Sequence, residues 1–528
     1  MTSASETRNS HSVAFIIYLI VTAAACGSLV MVIEVLGSRV IGPFFGVSLF
    51  VWTSLITVTL VALALGYAAG GLMSDKKSSP SYLYGIIFAA GVLTLFIPYL
   101  KGGVLKACVT LGLRIGALTS ASVLFGPPLF LLGCVSPYII KIAAGEMKNI
   151  GRTVGIFYAI STIGSFIGTV LTGFVLIAYF RVSSIFGFTG AALICLAAVY
   201  FVFFRKKWVM LAAVALPFFF YGEPEHIEKT MPNGTTVNRV YSEDGYYGNV
   251  KVVDYIYGEK HTREMMIDGL IQGGIDVKNG MSVYEYSYFL NILPYAVNPS
   301  GKNCLVLGLG TGVVPMWYEH LGIRTDVVDI DPKIAQIAAR YFGFRISGDV
   351  FFSDARYFLS GPGKKYDYLI VDVFNGDTTP AHILSVEAFR LLRQRMTDRG
   401  VLAFNLIGSL DDKFVAASIV RTLREVFETV RLYPVFTPDG KEAFGNYTLL
   451  AYNFPPVGID PVLVEKFQVH PLAQETVRKN FAAEYIIPQD TPAMTLSDDY
   501  NPIDFFDLKS KEKVRKTILE STDWDILI

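Results

Sequence analysis

Six long apolar stretches dominate the first part of the chain and constrain its fold more than any other feature. They cover residues 13–35, 48–72, 82–100, 117–142, 152–178 and 183–204. Because a helix that crosses a lipid bilayer needs about 20 mostly apolar residues, each stretch is a candidate span. The sequence therefore predicts an α-helical membrane bundle. Within the fourth stretch, Pro127-Pro128 and Pro137 predict a kink or a broken helix.

A shorter apolar run, residues 207–222, leaves the number of spans open at six or seven. At roughly 15 residues it is marginal for crossing a bilayer, and it could instead lie in the interface. With six spans, the Lys- and Arg-rich loops share one side of the membrane, which the positive-inside rule makes cytoplasmic. We expect a multi-pass protein of the cell membrane whose soluble half is cytoplasmic; a seventh span would place that half outside.

Small residues recur at four-residue spacing within two of the stretches. Gly66 and Gly70 form one row, and Gly164, Gly168 and Thr172 form another. Such rows allow helix backbones to approach closely inside a membrane. We interpret them as packing seams, with a substrate path between helices as the alternative.

Composition changes sharply near Glu223, beyond which the sequence has an ordinary globular character. Over the whole chain 52% of residues are hydrophobic, 17% are charged, and the formal net charge is +0, which argues against a basic surface for nucleic acid. None of the five cysteines forms a C-x-x-C pair, so no metal site is predicted. The predicted domains are a transmembrane helical domain (1–222), a small β domain (223–275), a nucleotide-binding α/β domain (276–510) and a C-terminal tail (511–528).

The soluble half begins with short alternating strands and continues with a regular strand–helix alternation. Residues 235–275 are broken by glycines, which predicts a small antiparallel β unit. Beyond it, strands are predicted at 304–307, 325–329, 350–352, 368–372 and 401–404, with helices at 314–321, 333–342, 385–396 and 411–427. Such alternation is typical of a doubly wound, mainly parallel sheet. Ligands of these sheets bind at the carboxyl ends of the strands.

The notable residues of this half all lie at such strand ends. The set is Gly308, Gly310, Gly312, Asp329, Asp354 and Asp372. Glycines there let the backbone approach a ligand closely, and Asp329 can accept hydrogen bonds from both hydroxyls of a ribose. Asp354 and Asp372 could instead be helix caps or turn residues. A dinucleotide site would need a third glycine at position 313, which is valine.

These motifs resemble the spermidine synthase family over about residues 240 to 410. The matching segments are Leu307–Gly312, Asp329-Ile330-Asp331, Ser353-Asp354-Ala355, Tyr366–Asp372 and Ile267–Gln272. The resemblance implies a class I methyltransferase-like Rossmann fold. It also implies that Asp329 holds the ribose, Asp354 meets the adenine amino group, Gln272 contacts the aminopropyl donor, and Asp372 is the catalytic aspartate.

The departures from the family pattern concern the acceptor. By resemblance, Tyr247, Tyr286, Asn375 and Asp377 would bind it. The family's Y-H-E stretch aligns with Tyr286-Ser287-Tyr288, and the loop after Asp372 lacks the second aspartate, for which Asp377 could substitute. The lost acids are those expected to hold a diamine, so putrescine is expected to be a poor acceptor. Segments 374–382 and 497–502 resemble the membrane-fused branch of the family.

The resemblance implies transfer of an aminopropyl group from decarboxylated S-adenosylmethionine, as co-substrate, to a small amine. No tightly bound cofactor is expected; the bilayer is a partner, and a homo-oligomer is compatible with the pattern. Two alternatives stay open. One is a methyltransferase that uses intact S-adenosylmethionine, and the other is a transporter whose soluble half senses nucleotide.

Overall fold

The computed structural model describes residues 13–46, 49–144, 150–215, 217, 227–374, 379–438 and 443–527. The chain divides into two compact units. The first comprises Met1–Pro224 with Asp244–Tyr246 and Ile528, and the second comprises Glu225–Glu243 with Tyr247–Leu527. The finer boundaries of the four predicted segments stay a prediction.

The first unit is helical. In the part of the chain that the structure describes, six helices are long and apolar enough to cross a membrane, as the sequence predicts. They are α1 (Val13–Phe45), α2 (Leu49–Lys76), α3 (Pro80–Val109), α5 (Gly126–Ala144), α6 (Ile150–Tyr179) and α7 (Val182–Phe204). A shorter apolar helix, α4 (Gly112–Leu124), precedes α5.

The predicted break in the fourth stretch is confirmed, and it divides residues 117–142 between two helices. Helix α4 ends at Leu124 and α5 begins at Gly126. Pro127 explains the position of the break, because proline has no N–H to donate inside a helix but fits the first turn of one. In the run 207–222, Trp208–Ala215 forms a 3₁₀ helix and most of the remainder lies outside the described residues, so a seventh span stays a prediction.

The rows of small residues lie where helices touch. A methyl group added at Gly66 would be 2.3 Å from the carbonyl oxygen of Phe130 on α5. One added at Gly164 of α6 would be 2.1 Å from the carbonyl oxygen of Ala24 on α1. Backbone therefore packs directly on backbone, as the interpretation of these rows as packing seams predicts. Inside lipid such close packing, rather than burial of apolar surface, drives helix association.

The close contact between α2 and α5 leads to a stability prediction, for which α2 itself provides a control position. A Cβ at Gly70 would lie 2.6 Å from the Cα of Cys134, whereas one at Gly71 would meet nothing within 4 Å. We expect Gly70→Val to lower the thermal midpoint of the purified protein by at least about 2 °C, because overpacking costs roughly 1–3 kcal/mol. Gly71→Val should change it little; equal midpoints for the two variants would contradict the seam.

The second unit begins with a five-stranded antiparallel sheet, which confirms the predicted small β unit. Its strands are β1 (Ile227–Thr230), β2 (Thr236–Gly245), β3 (Gly248–Tyr257), β4 (Lys260–Ile267) and β5 (Leu270–Asp276), and they pair in sequence order. Asp268 and Gly269 form the tight turn between β4 and β5, and both have positive φ angles.

A seven-stranded sheet follows, and its core strands are those that the sequence predicts. The strands are β6 (Asn303–Leu307), β7 (Arg324–Asp329), β8 (Val350–Phe352), β9 (Tyr366–Val371), β10 (Met396–Ser409), β11 (Thr429–Pro434) and β12 (Phe444–Tyr452). Their order is β11-β12-β10-β9-β6-β7-β8. The five strands from β10 to β8 are parallel, whereas β12 runs antiparallel to β10 and β11.

Helices cover both faces of this sheet, which explains why its central strands are continuous apolar runs. They are α8 (Tyr286–Val297), α9 (Val313–His320), α10 (Pro332–Phe342), α11 (Ala355–Ser360), α12 (Val386–Gln394) and α13 (Phe414–Arg424), with α14 (Pro471–Asn480) after the last strand. Buried side chains form one core on each face of the sheet. The predicted doubly wound α/β arrangement is thereby confirmed.

The C-terminal residues 511–528, predicted as a tail, lie mostly in helices. Helices α16 (Leu508–Ser521) and α17 (Trp524–Leu527) cover most of this segment, and the short helix α15 (Ile503–Phe506) precedes it. Helix α16 buries Lys511, Arg515, Ile518 and Leu519, which share one face at helical spacing. Its sequence is rich in charge, so this narrow buried stripe is hard to recognise without the packing partner.

Candidate active site

The carboxyl ends of four neighbouring strands open into one cavity of about 390 Å³, within the ~300–1,000 Å³ typical of small-molecule sites. Gly308 follows β6, Asp329 ends β7, Asp354 follows β8 and Asp372 follows β9, and all four line this cavity. Because the strands are adjacent and parallel, residues far apart in the chain meet at one edge of the sheet. The structure thus brings together most of the residues that the sequence singles out.

Glycine is required at the first turn for two reasons. Gly308 has a φ of +90°, and an added Cβ would lie 2.1 Å from the carbonyl oxygen of Asp372. Gly310, at φ +51°, also lines the cavity, whereas Gly312 is not part of its wall. At φ +83°, Gly312 begins α9 and faces the ring of Phe344. The turn therefore brings bare backbone beside the cavity, as a ligand-binding turn requires.

Asp329 is held by backbone on both sides of its carboxylate. Leu309 N donates to Oδ2 and Asp331 N donates to Oδ1, and both donor–acceptor distances are 2.9 Å. Burial raises the pKa of Asp329 to about 6, although these N–H groups act to lower it. A carboxylate has about four acceptor positions, so it can accept from a ligand hydroxyl in addition to these two bonds.

Asp354 is both a helix cap and a wall of the cavity. Its Oδ1 accepts a hydrogen bond from Tyr357 N at 2.9 Å and caps α11, while His382 Nε2 lies 3.5 Å from Oδ2. Both Asp354 and His382 line the cavity. The two interpretations of this residue, as cap and as ligand-facing acid, are therefore geometrically compatible.

Asp372 is oriented by two asparagines that sequence reasoning missed. Asn405 Nδ2 donates to Asp372 Oδ1 at 2.8 Å, and Asn446 Nδ2 donates to Asn405 Oδ1 at 3.0 Å. Burial raises the pKa of Asp372 to about 6, and the bond from Asn405 acts against this rise. An amide inside the apolar strand Val401–Leu406 was the available signal, since a buried amide needs partners.

The small β unit and α8 supply the remaining wall. Gln272 and Tyr286 line the cavity, and the Tyr286 hydroxyl donates to the backbone oxygen of Gln272 at 3.3 Å. Burial and the charge of Asp372 raise the pKa of Tyr286. Tyr247, 44% exposed, also lines the cavity. The predicted acceptor residues Asn375 and Asp377 lie outside the described residues.

The cavity is strongly acidic. Of the described residues in its wall, none is lysine or arginine, and His382 is the one basic side chain. Five are aspartates: Asp268, Asp329, Asp331, Asp354 and Asp372. Opposite charges attract strongly in a cleft with low-dielectric walls, so this site favours a cationic ligand.

The C-terminal region also reaches the cavity, which the sequence did not indicate. Val514 and Ile518 of α16 belong to its wall. The segment 497–502 holds the loop before α12, because Asn501 Nδ2 donates to Ala381 O at 2.8 Å and Asp498 pairs with Arg356. Residues from both ends of the second unit therefore enclose one site.

Comparisons with known proteins agree with this geometry. A protein named polyamine aminopropyltransferase, from Vibrio vulnificus, is 32% identical over 164 residues, covering 30% of this chain and 47% of that protein. Polyamine aminopropyltransferase 2 of Aquifex aeolicus is 21% identical over 447 residues, or 78% of this chain and 82% of the relative. The chain is spermidine synthase-like. The resemblance expected from the sequence motifs is thereby confirmed.

This spermidine synthase-like chain also matches a methyltransferase. N-terminal histidine N-methyltransferase of Emericella nidulans is 28% identical over 262 residues, 43% of this chain and 46% of that protein. The chain thus spans about half the length of this relative and of the Vibrio protein. No family model matches. A solved structure of a probable spermidine synthase from Corynebacterium glutamicum aligns with 17% identity and a TM-score of 0.40, covering 48% of this chain and 95% of that one.

Proposed function

We propose that this protein is an aminopropyltransferase that uses decarboxylated S-adenosylmethionine and an amine acceptor. The observation that carries the proposal is the position of Asp372, an oriented carboxylate in an acidic cavity beside a glycine turn. The decarboxylated donor carries a sulfonium and an ammonium group and no carboxylate. Such a dication suits a wall with five aspartates and neither lysine nor arginine among its described residues.

In the proposed binding mode, the adenosine lies over β6, β7 and β8. Asp329 accepts hydrogen bonds from the ribose hydroxyls, Asp354 accepts one from the adenine amino group, and Gly308 and Gly310 let the sulfur approach the backbone. Gln272 contacts the aminopropyl chain, while Tyr247 and Tyr286 border the acceptor. For Gly312 the proposed contribution is indirect, since it begins α9 behind the turn.

The proposed reaction is a single displacement. The nitrogen of a primary amine attacks the propyl carbon bonded to sulfur, the carbon–sulfur bond breaks, and its electron pair neutralises the sulfonium, so methylthioadenosine leaves. The nitrogen then loses a proton to Asp372, which acts as general base. Because the pKa of Asp372 is about 6, its carboxylate is mainly ionised at neutral pH and can accept that proton.

Methyl transfer from intact S-adenosylmethionine is a second candidate, favoured by the similarity to the fungal N-methyltransferase. The intact donor adds a carboxylate, which would need a cationic or N–H partner. The described cavity wall offers Gly310 N and His382 for this purpose, whereas Gly308 N and Leu309 N already donate to Val328 O and Asp329 Oδ2. The two candidates differ in which donor is consumed and in the mass added to the acceptor.

We also propose that the protein is a multi-pass protein of the cell membrane with its soluble half in the cytoplasm, where adenosyl nucleotides are made. Exposed Asp460 provides a probe position. A Cys at this position (Asp460→Cys) should react with a membrane-impermeant maleimide in permeabilised cells and not in intact cells, with the unsubstituted protein giving the background. Equal labelling in intact cells would place this half outside.

Asp329 provides a test of the nucleotide site. We expect Asp329→Ala to weaken methylthioadenosine binding, measured by calorimetry, by at least about tenfold, because hydrogen bonds to a charged group contribute roughly 1.5–3 kcal/mol. Asp349→Ala, which removes an exposed carboxylate outside the cavity wall, is the control. Unchanged affinity in Asp329→Ala would contradict the proposal that Asp329 binds the ribose.

Asp372 provides a test of the reaction. We expect Asp372→Asn to abolish product formation, read by mass spectrometry, while methylthioadenosine binding persists; Asp367→Asn, on strand β9 but outside the cavity wall, should remain active. Activity should rise with pH through about 6 as Asp372 ionises, and Asn405→Ala should move this midpoint upward because a bond that lowers the pKa is lost. Methyl transfer from intact S-adenosylmethionine, with the decarboxylated form inert, would establish the second candidate.

A further inference from the structure

The strand order divides the cavity into a donor side and an acceptor side. Residues of β6, β7 and β8 are the proposed adenosine contacts, and Asp372 on β9 is at the reacting centre. The next strands along the sheet are β10 and β12, which line the cavity with Asn405, Ile407 and Asn446. Since the amine must approach the sulfur-bound carbon from the side opposite the leaving sulfur, the acceptor lies toward β10 and β12.

Helix α16 closes this acceptor side. Val514 and Ile518, one turn apart, belong to the cavity wall, and Ile518 is 9% exposed. On the other face of the helix, Glu512, Lys516 and Thr517 are exposed to solvent. The helix therefore presents a polar face outward and two branched apolar side chains to the cavity.

Helix α16 contacts the small β unit on one side of the cavity and the main sheet on the other. Arg515, 1% exposed, donates from Nη1 to the backbone oxygen of Asp268 in the β4–β5 turn at 3.1 Å. Lys513 Nζ lies 4.9 Å from the ring centroid of Phe444, at the start of β12. Farther along, Lys251 Nζ donates to the backbone oxygen of Ile526 at 2.6 Å. Val514 and Ile518 are thus held in place between the small β unit and the main sheet.

Two polar side chains, Tyr288 and Asp268, already make hydrogen bonds within the protein. Tyr288, which aligns with the acid of the family's Y-H-E stretch, is 5% exposed; its hydroxyl donates to Ser282 O at 2.7 Å and accepts from His470 N at 3.0 Å. Asp268 Oδ1 accepts a hydrogen bond from Asn249 N of β3 at 2.8 Å. An ammonium group that points at Val514 and Ile518 would meet apolar side chains, and burying an unpaired charge is costly.

We propose that Val514 and Ile518 select the acceptor, and that the acceptor is a primary amine whose end remote from the reacting nitrogen is apolar. This inference rests on the proposed aminopropyl transfer and specifies its second substrate class. The bond changes are those of the displacement above and need no further reactant. An α,ω-diamine such as 1,4-diaminobutane fits the acidic centre but not the apolar wall.

The test compares two amines of equal size that differ at one end, n-pentylamine and 1,4-diaminobutane. Their binding to the full chain, loaded with methylthioadenosine, is measured by calorimetry, so a ranking is obtained whether or not transfer occurs. We expect n-pentylamine to bind at least about tenfold more tightly. Its terminal methyl group is buried against the apolar wall, whereas 1,4-diaminobutane places an unpaired ammonium group there. Equal or tighter binding of the diamine would overturn the inference.

Two variants of α16 that add the same charge distinguish an effect of the cavity wall on amine binding from an effect of charge elsewhere on the helix. Val514→Asp should reverse the preference toward 1,4-diaminobutane, whereas Thr517→Asp, on the exposed face of α16, should leave it unchanged. Retained methylthioadenosine binding shows that each variant is folded. As a second variant, Ile518→Ala should shift the optimum to longer alkylamines; the same preferences in wild type, Val514→Asp and Ile518→Ala would refute a role for this wall.

Transfer assays with the same amines keep this inference distinct from the proposed function. If n-pentylamine binds in preference and becomes aminopropylated, both are supported. If it binds in preference without transfer from either donor, aminopropyl transfer fails while the apolar wall stands. If transfer occurs and 1,4-diaminobutane is the better substrate, the proposed function stands and the selection by Val514 and Ile518 is wrong.

Discussion

The close approach of Gly308 to the backbone of Asp372 is the contact on which the site depends. No side chain fits between these two strand ends, because a Cβ at Gly308 would lie 2.1 Å from the Asp372 carbonyl oxygen. The glycine turn and the acid after β9 therefore stand side by side. Any ligand that lies on the turn must place its next atoms beside Asp372, which is the geometric requirement for a displacement reaction.

Holding two carboxylates in one cavity has an electrostatic cost that the surrounding donors partly offset. Burial raises the pKa of both Asp329 and Asp372 to about 6, and hydrogen bonds from Leu309 N, Asp331 N and Asn405 Nδ2 act in the opposite direction. A cationic ligand would offset the remainder, so charge complementarity favours occupancy. Perturbed acids of this kind are characteristic of functional sites, where reactivity has priority over stability.

Local sequence patterns located the strand-end residues that line the cavity but not Asn446 or the stripe of α16, for a physical reason. An apolar strand followed by glycine or aspartate is a short-range signal, so Gly308, Asp329, Asp354 and Asp372 could be found without knowing the strand order. Asn446 reaches the site only because β12 inserts antiparallel between β10 and β11, which depends on pairing across 40 residues or so. The apolar stripe of α16 is likewise meaningful only once its partner surface exists.

The cavity has two parts, the ends of β6, β7 and β8 on one side and the wall formed by β10, β12 and α16 on the other. This arrangement is compatible with similarity both to aminopropyltransferases and to an N-methyltransferase. In the proposed binding mode, the residues at the ends of β6, β7 and β8 hold an adenosyl group whichever of its carbons is transferred. What differs between such reactions is the geometry beyond the sulfur, where β10, β12 and α16 form the wall here. Because Tyr288 is committed to the core, a change of acceptor in this chain would have to come from side chains that line the cavity, such as Tyr286, Val514 and Ile518.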